Sequence, residues 1–197
     1  MSSNELDEGA FGIVHSLRLY DQSECWDYEL DPSEMIDGVR IFPATVIVDT
    51  REQTPFHFLN IDPWPIVPVS HATLKTGDYS LRGYESRLTI ERKSIGDFLG
   101  SISADRDRFE REFERMAEME FAAVVIEGEL SEVLYYARYN TNMKTKSIMG
   151  TLDSWRIRYG VHWVFGMGRR GAERNTLTLL YHFWKIQQEA FKALKAR

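Results

Sequence analysis

The chain has 197 residues, 43% of them hydrophobic and 13% aromatic, which is enough for one domain with a real core and excludes wholesale disorder. The longest apolar run, Phe121 to Ile126, is too short to span a bilayer, the N-terminus Met1-Ser2-Ser3-Asn4-Glu5 lacks the pattern of a signal peptide, and the lone Cys25 has no partner for a disulfide or a zinc site. A net charge of −6 speaks against a simple nucleic-acid coat, so a soluble protein of a reducing cytoplasm is expected.

Along the chain the charge is uneven. Residues 1–40 hold ten acids and two bases, a net −8, and read as an acidic extension outside a main domain of residues 41–197. Its apolar residues, among them Phe11, Ile13, Val14, Leu17, Leu19 and Tyr20, are expected to form an added strand or hairpin. A partner-binding arm, or a flap that competes with nucleic acid, remain open readings of the same segment.

The β-branched run Thr45-Val46-Ile47-Val48-Asp49 predicts a strand. Pro55, Pro63, Pro65 and Pro68 keep the following stretch extended or looped. Leu88 to Lys93 predicts a second strand, the buried-looking Phe121 to Ile126 a third, and Val161 to Phe165 a fourth. Between them, Phe109, Phe113 and Met116 repeat at helical period within a helix from Asp105 to about Glu120. Further helices are expected from a cap at Ser131 through Ala137, over roughly 146–159, and from about Ala172 onward. Strands alternating with helices indicate an α/β protein, a sheet covered by helices.

Residues 41–137 carry −7 and residues 138–197 carry +9, three acids against twelve bases. A basic C-terminal third beside an acidic middle suits a protein that grips phosphate with one region and holds cations with another. The acidic middle has a specific arrangement. Side chains alternate along a strand, so Glu91 and Lys93 project together, within about 7 Å, on a face expected to be exposed. A hairpin turning at Gly83-Tyr84 would bring Asp78 beside Glu91, and Asp49 ends the first strand. Clustered carboxylates repel one another unless a cation joins them. Hard Mg²⁺ takes such oxygen ligands, and a lysine beside it stabilises anionic oxygens, so the set suits phosphodiester cleavage.

Three ordered motifs stand at these positions: Val48-Asp49-Thr50-Arg51-Glu52, then Gly77-Asp78-Tyr79, then Glu91-Arg92-Lys93-Ser94-Ile95-Gly96-Asp97. The last two read G-D-x(n)-E-R-K-x-x-x-D. Over roughly Val46 to Gln188 the chain resembles the nuclease domain of the XPF-type structure-specific endonuclease family. The resemblance implies a central mixed β-sheet flanked by helices, a restriction-endonuclease-like core, and an endonuclease that cuts DNA with Mg²⁺ or Mn²⁺. It makes Asp49, Asp78 and Glu91 metal ligands, with the Arg92 carbonyl as a further one, and Lys93 the catalytic lysine. It gives Glu52 and Asp97 an assisting role, and has Arg51 and Arg92 hold those carboxylates or contact phosphate. Asp97 reads equally as the N3 acid of a capping box begun at Ser94. A nucleoid-associated or nuclear location follows from the same reading. Relatives commonly add a tandem helix-hairpin-helix module, which selects branched substrates. The sequence ends at Arg197 without one, so preference among flaps, forks, junctions and plain duplex stays open. The alternative is a non-catalytic DNA-binding or assembly subunit; such subunits usually lose the metal acids or the lysine, and this chain keeps them all.

For DNA contact the candidates are Lys144, Lys146, Arg156 and Arg158, with few acids nearby, and Arg169 and Arg170 in the Gly166–Gly171 segment, which also reads as a strand-to-helix turn. Arg106 and Arg108 alternate with Asp105 and Asp107, which fits a DNA track or a solvated helix face. Trp155 and Trp163 are candidates for base stacking or for core. A homodimer is expected through the last helix. Leu177, Leu180, Trp184, Phe191 and Leu194 form one seam, and Leu179, Tyr181 and Phe183 a second surface, unless the helix around Ile148, Leu152 and Trp155 covers both.

Overall fold

A computed structural model describes residues 35–36 and 38–196. The expectations for the acidic segment around Phe11 to Tyr20 lie outside the described residues. The described residues belong to one compact unit that runs from Pro32 to Arg197. It opens with a small antiparallel hairpin, β1 (Met35–Ile36) and β2 (Val39–Arg40).

The main sheet has six strands in the order β4-β3-β5-β6-β7-β8. They are β3 (Val46–Asp49), β4 (Val69–Ala72), β5 (Tyr79–Leu81), β6 (Leu88–Lys93), β7 (Phe121–Ile126) and β8 (His162–Phe165). β5 runs antiparallel to both β3 and β6, while β3–β4, β6–β7 and β7–β8 are parallel, so the sheet is mixed. The parallel pairs need crossovers, and helices supply two of them. α1 (Ile95–Ser101) and α2 (Arg106–Met116) link β6 to β7; α3 (Leu130–Asn140) and α4 (Thr145–Tyr159) link β7 to β8. α5 (Gly168–Lys195) follows β8.

Both faces of the sheet are covered, which explains why β7 is apolar throughout rather than alternating. Ala122, Val124 and Ile126 pack with Phe98, Phe109, Phe113, Val133, Ile148 and Trp155 from α1 to α4. Phe113 is the centre of this layer: its ring lies 4.8 Å from Trp155, 4.9 Å from Trp163 and 5.0 Å from Phe109. Trp155 and Trp163 are therefore core residues and not base-stacking ones. α5 lies against β5, β7 and β8 from the other side, where Tyr181 packs edge-on to Phe42 and tilted against Trp64.

The structure corrects two helix starts. α3 begins at Leu130 with Glu129 as its cap, since the Glu132 carboxylate accepts the Glu129 N–H (2.8 Å); Ser131 falls inside the first turn. α5 begins at Gly168, and Arg169 and Arg170 ride on its first turn. The last helix departs further from expectation. Leu177, Leu180, Tyr181 and Phe183 are all buried within the chain, against the sheet and not under α4. Only its C-terminal part stays open, with Ile186, Phe191 and Leu194 exposed. Among the described residues no helix is long and apolar enough to cross a membrane.

Candidate active site

Asp49 ends β3, Asp78 precedes β5 and Glu91 lies near the end of β6, so three adjacent strands bring the motif residues to one end of the sheet. Backbone bonds lock the alignment. Asp49 N–H donates to the Asp78 carbonyl (2.8 Å), and Asp78 N–H donates to the Ile90 carbonyl (2.9 Å). The Asp78 carboxylate then accepts the Arg92 N–H (2.8 Å), taking the place of a strand partner where β5 has diverged. Gly77 makes this possible. Its φ is +73°, and a β-carbon there would stand 2.0 Å from Thr89 Oγ1 and 3.2 Å from the Ile90 carbonyl. Only glycine brings Asp78 this close to β6.

Glu91 and Lys93 share a face and form an ion pair, as their spacing predicts. That face is not exposed. β6 is a central strand and α2 covers it, leaving Glu91 only 5% accessible, with the Lys93 ammonium 5.0 Å from the Phe109 ring centroid. Burial and the neighbouring Asp78 push the Glu91 carboxyl well above the usual carboxylate range. Asp78 is pushed up to about 7 by burial, against the opposing Arg92 hydrogen bond, with Glu52 adding to the rise. Desolvation alone would lower the Lys93 pKa, but Glu91, Glu112 and Asp78 raise it, so the side chain is a cation at neutral pH.

Glu112 is the residue that reading the sequence missed. It is a half-buried acid of α2 whose charge acts on Asp78, Glu91, Lys93 and Arg51. Its position carries a signal: at 100° per residue it lies roughly 40° around α2 from Met116, beside the apolar stripe and not on the solvent side.

Asp49, expected as a third ligand, is engaged within the fold. Its buried carboxylate accepts the Arg51 N–H (2.8 Å), Arg51 Nε (2.8 Å), Arg51 Nη2 (2.9 Å) and the Leu74 N–H (2.6 Å). Burial would raise its pKa, but these donors and the guanidinium charge hold it below the usual value. Asp49 thus anchors Arg51 and the 74–78 segment, and Arg51 turns its charge toward Asp78 and Glu112.

Arg92 points to the opposite face of β6. It pairs with Glu127 (2.8 Å) and Glu52 (3.3 Å) and donates to Thr54 Oγ1. Arg169 pairs with the same Glu127, donates to the Thr54 and Pro55 carbonyls (both 2.8 Å) and lies over Phe56. Glu52, Arg92 and Arg169 are therefore structural ties here. Beside them an open cleft of about 580 Å³ is lined by His57, Arg92, Ser94, Asp97, Glu127 and Arg169. Asp97 accepts from Ser94 Oγ (2.7 Å) and donates its N–H to the same oxygen (3.1 Å), which is a capping arrangement at the start of α1.

Of the basic residues proposed for DNA contact, five are engaged within the fold; Arg108 pairs with Asp105 (3.1 Å). Arg106 donates to Thr151 Oγ1 (3.0 Å) and lies over Trp155, Arg158 pairs with Glu110 (3.0 Å), Arg169 is tied as described, and Arg170 holds Glu173 and the Leu59 and Asn60 carbonyls. Lys144 and Lys146, at the start of α4, remain exposed, and Arg156 is half-exposed.

Among the described residues no three His, Cys, Asp or Glu side chains converge closely enough to cage a metal ion. Mg²⁺ does not need such a cage; one or two carboxylates with waters and substrate phosphate suffice. The donor set here fits it. Asp78 and Glu91 are adjacent, and burial first, then the neighbouring acids, oppose their ionisation, a load that a dication would offset.

The mixed sheet covered by helices on both faces matches the XPF nuclease-like fold. The chain belongs to the ERCC4 domain family, whose pattern matches residues 48–167. Among solved structures it is similar to XPF from Aeropyrum pernix, at 22% identity and a TM-score of 0.55, over 71% of this chain and 60% of that one. It is also similar to XPF from Aeropyrum pernix in complex with DNA, at 21% identity and a TM-score of 0.53, over 73% of this chain and 66% of that one. The chain thus spans less than two thirds of either, and at this identity the likeness is one of fold. No curated protein matches it in sequence.

Proposed function

We propose that this protein is a Mg²⁺- or Mn²⁺-dependent endonuclease that hydrolyses DNA phosphodiester bonds. The observation that carries the reading is the buried group of Asp78, Glu91 and Lys93, assembled by Gly77 and overlooked by Glu112. Setting a half-buried carboxylate beside a buried one is costly and adds nothing to packing, so it belongs to function. The DNA-bound state of the similar Aeropyrum protein supports DNA as substrate.

Asp78 and Glu91 would hold the metal, with Glu112 close enough to bear on it electrostatically. The metal would supply polarisation of the phosphate and a more acidic water. Lys93, held protonated by its acid neighbours, donates hydrogen bonds to oxygens that gain negative charge as water adds to phosphorus. The P–O3′ bond breaks, leaving a 5′-phosphate and a 3′-hydroxyl. Asp49 and Arg51 keep the strand ends in register. Lys144, Lys146 and Arg156 are the basic residues best placed to meet phosphate away from the centre. The exposed end of α5, with Ile186, Phe191 and Leu194, would join two copies into a homodimer.

The test is direct. Purified protein with Mg²⁺ is incubated with labelled single-strand, duplex, flap, fork and junction DNAs, beside Glu91→Ala. Metal-dependent cleavage lost in Glu91→Ala is expected. Cleavage by Glu91→Ala at near-native rate, with contamination excluded, would sink the assignment. The pattern among the five DNAs assigns branched-substrate preference.

A further inference from the structure

α3 exposes an aromatic surface that the catalytic group does not use. Val133 and Ala137 are its buried residues, while Tyr135, Tyr136 and Tyr139 are 68%, 42% and 63% exposed. Three tyrosines open to solvent within five residues of one helix lie outside what packing requires. Tyr135 and Tyr139, one turn apart, have ring centroids 4.8 Å apart, and the Arg138 guanidinium lies over Tyr139 at 5.7 Å. The pair thus presents an aromatic surface to solvent, with Arg138 lying against Tyr139.

The surroundings select the occupant. Residues 133–152 contain three bases, Arg138, Lys144 and Lys146, and no acid, in a chain whose net charge is −6. Aromatic faces interleaved with unneutralised cations match bases attached to a phosphate backbone; an apolar protein partner would leave those cations desolvated. The surface also adjoins the catalytic end of the sheet. The Tyr136 hydroxyl stands over Gly96, 3.9 Å from where a β-carbon would lie, and Gly96 belongs to α1, which begins two residues after Lys93.

We infer that α3 is a stacking platform for unpaired nucleotides: two successive bases of a single-stranded DNA segment stack on Tyr135 and Tyr139 while Arg138, Lys144 and Lys146 meet its phosphates. The inference rests on the DNA-cleaving reading and adds to it the strand type held beside the site. It explains how a chain of this family could favour DNA with single-stranded arms through its own nuclease domain.

The experiment measures fluorescence anisotropy of labelled oligo-dT and of a blunt duplex with the full chain in EDTA, so that binding is read without cleavage. Tyr135→Ala/Tyr139→Ala should weaken oligo-dT binding by ten- to a hundred-fold and leave duplex binding within two-fold. Tyr135→Phe/Tyr139→Phe should restore the affinity, because stacking needs the ring and not the hydroxyl. Equal losses on oligo-dT and duplex, or no loss on oligo-dT, would overturn the platform. So would a wild-type chain that binds and cuts duplex but does not bind oligo-dT. A wild-type chain that neither binds nor cuts any DNA would overturn the proposed function along with it. Far-UV circular dichroism on both double variants identifies a folding defect, in which case Lys144→Ala/Lys146→Ala provides the second test: weaker oligo-dT binding with a shallower salt dependence is expected, and an unchanged salt slope counts against the platform.

Discussion

Replacing Asp78 by asparagine should stabilise the metal-free protein while removing activity. Asparagine keeps a carbonyl oxygen for the Arg92 N–H and removes the charge that burial and the neighbouring acids oppose. The sign of the pH dependence follows from the direction of the shift. Asp78 moves from 3.8 to about 7 on folding, so the folded chain holds its proton more tightly than the unfolded one. Stability from this group is fully present below about pH 4, declines as the pH rises toward 7, and is level above that. A rise of three units corresponds to at most roughly 4 kcal/mol at about 1.36 kcal/mol per unit. The carboxyl is only half-buried and Glu91 shares the repulsion, so about 1–2 kcal/mol is the expected gain for Asp78→Asn at pH 8. The gain should shrink as the pH falls from 8 to 5 and vanish only below about pH 4, where the carboxyl is protonated in both the folded and the unfolded chain. Urea denaturation in EDTA at pH 5 and pH 8 measures both differences, and the thermal midpoint at pH 8 should rise by roughly 2–8 °C. Added Mg²⁺ should stabilise the wild type and not the variant. Destabilisation at pH 8, or a difference independent of pH, would refute the reasoning that this carboxyl is held under electrostatic load.

Lys93→Ala should lower the single-turnover cleavage rate by two orders of magnitude or more with little change in DNA affinity, because its hydrogen bonds strengthen only as charge develops; an affinity loss equal to the rate loss would assign Lys93 to substrate binding. Gly77→Ala should destabilise the fold by more than the ~1 kcal/mol of a positive φ, since its β-carbon would collide with Thr89, and should abolish cleavage by displacing Asp78; a stable and active variant would show that the turn can yield. Phe113→Ala should cost about 3–5 kcal/mol in urea denaturation, as four aromatic rings lose their common contact. In light scattering during size exclusion the wild type should run at about twice the chain mass of 23.0 kDa, and Ile186→Ser/Phe191→Ser/Leu194→Ser at the single mass; a wild-type monomer, with and without DNA, would rule the dimer out.

The sequence by itself determined the elements whose pattern is local. β3, β6 and β7 are runs of β-branched and apolar residues, and the stripe of Phe109, Phe113 and Met116 announces α2, because each pattern is complete within an element of four to eleven residues. The pairing of Glu91 with Lys93 was legible for the same reason: alternation along one strand decides it. β4 is Val-Ser-His-Ala, largely exposed and without an apolar run, and β5 has only three residues; both are placed by pairing with the two edges of β3. Tertiary structure decided burial and partnership. No spacing in the sequence says that α2 lies over β6, yet that packing turns a surface ion pair into a buried one and brings Glu112 to Asp78. Asp49 is legible as an acid at a strand end, but its partners Arg51 and Leu74, the latter 25 residues on, come from the fold. The basic residues divided likewise: Arg158, Arg169 and Arg170 found acids or carbonyls far along the chain, Arg106 found the Thr151 hydroxyl, and Lys144 and Lys146 stayed exposed. A charged side chain's role depends on which opposite charges the fold brings within a few ångströms, and that distance is a property of the folded chain, not of the order of its residues.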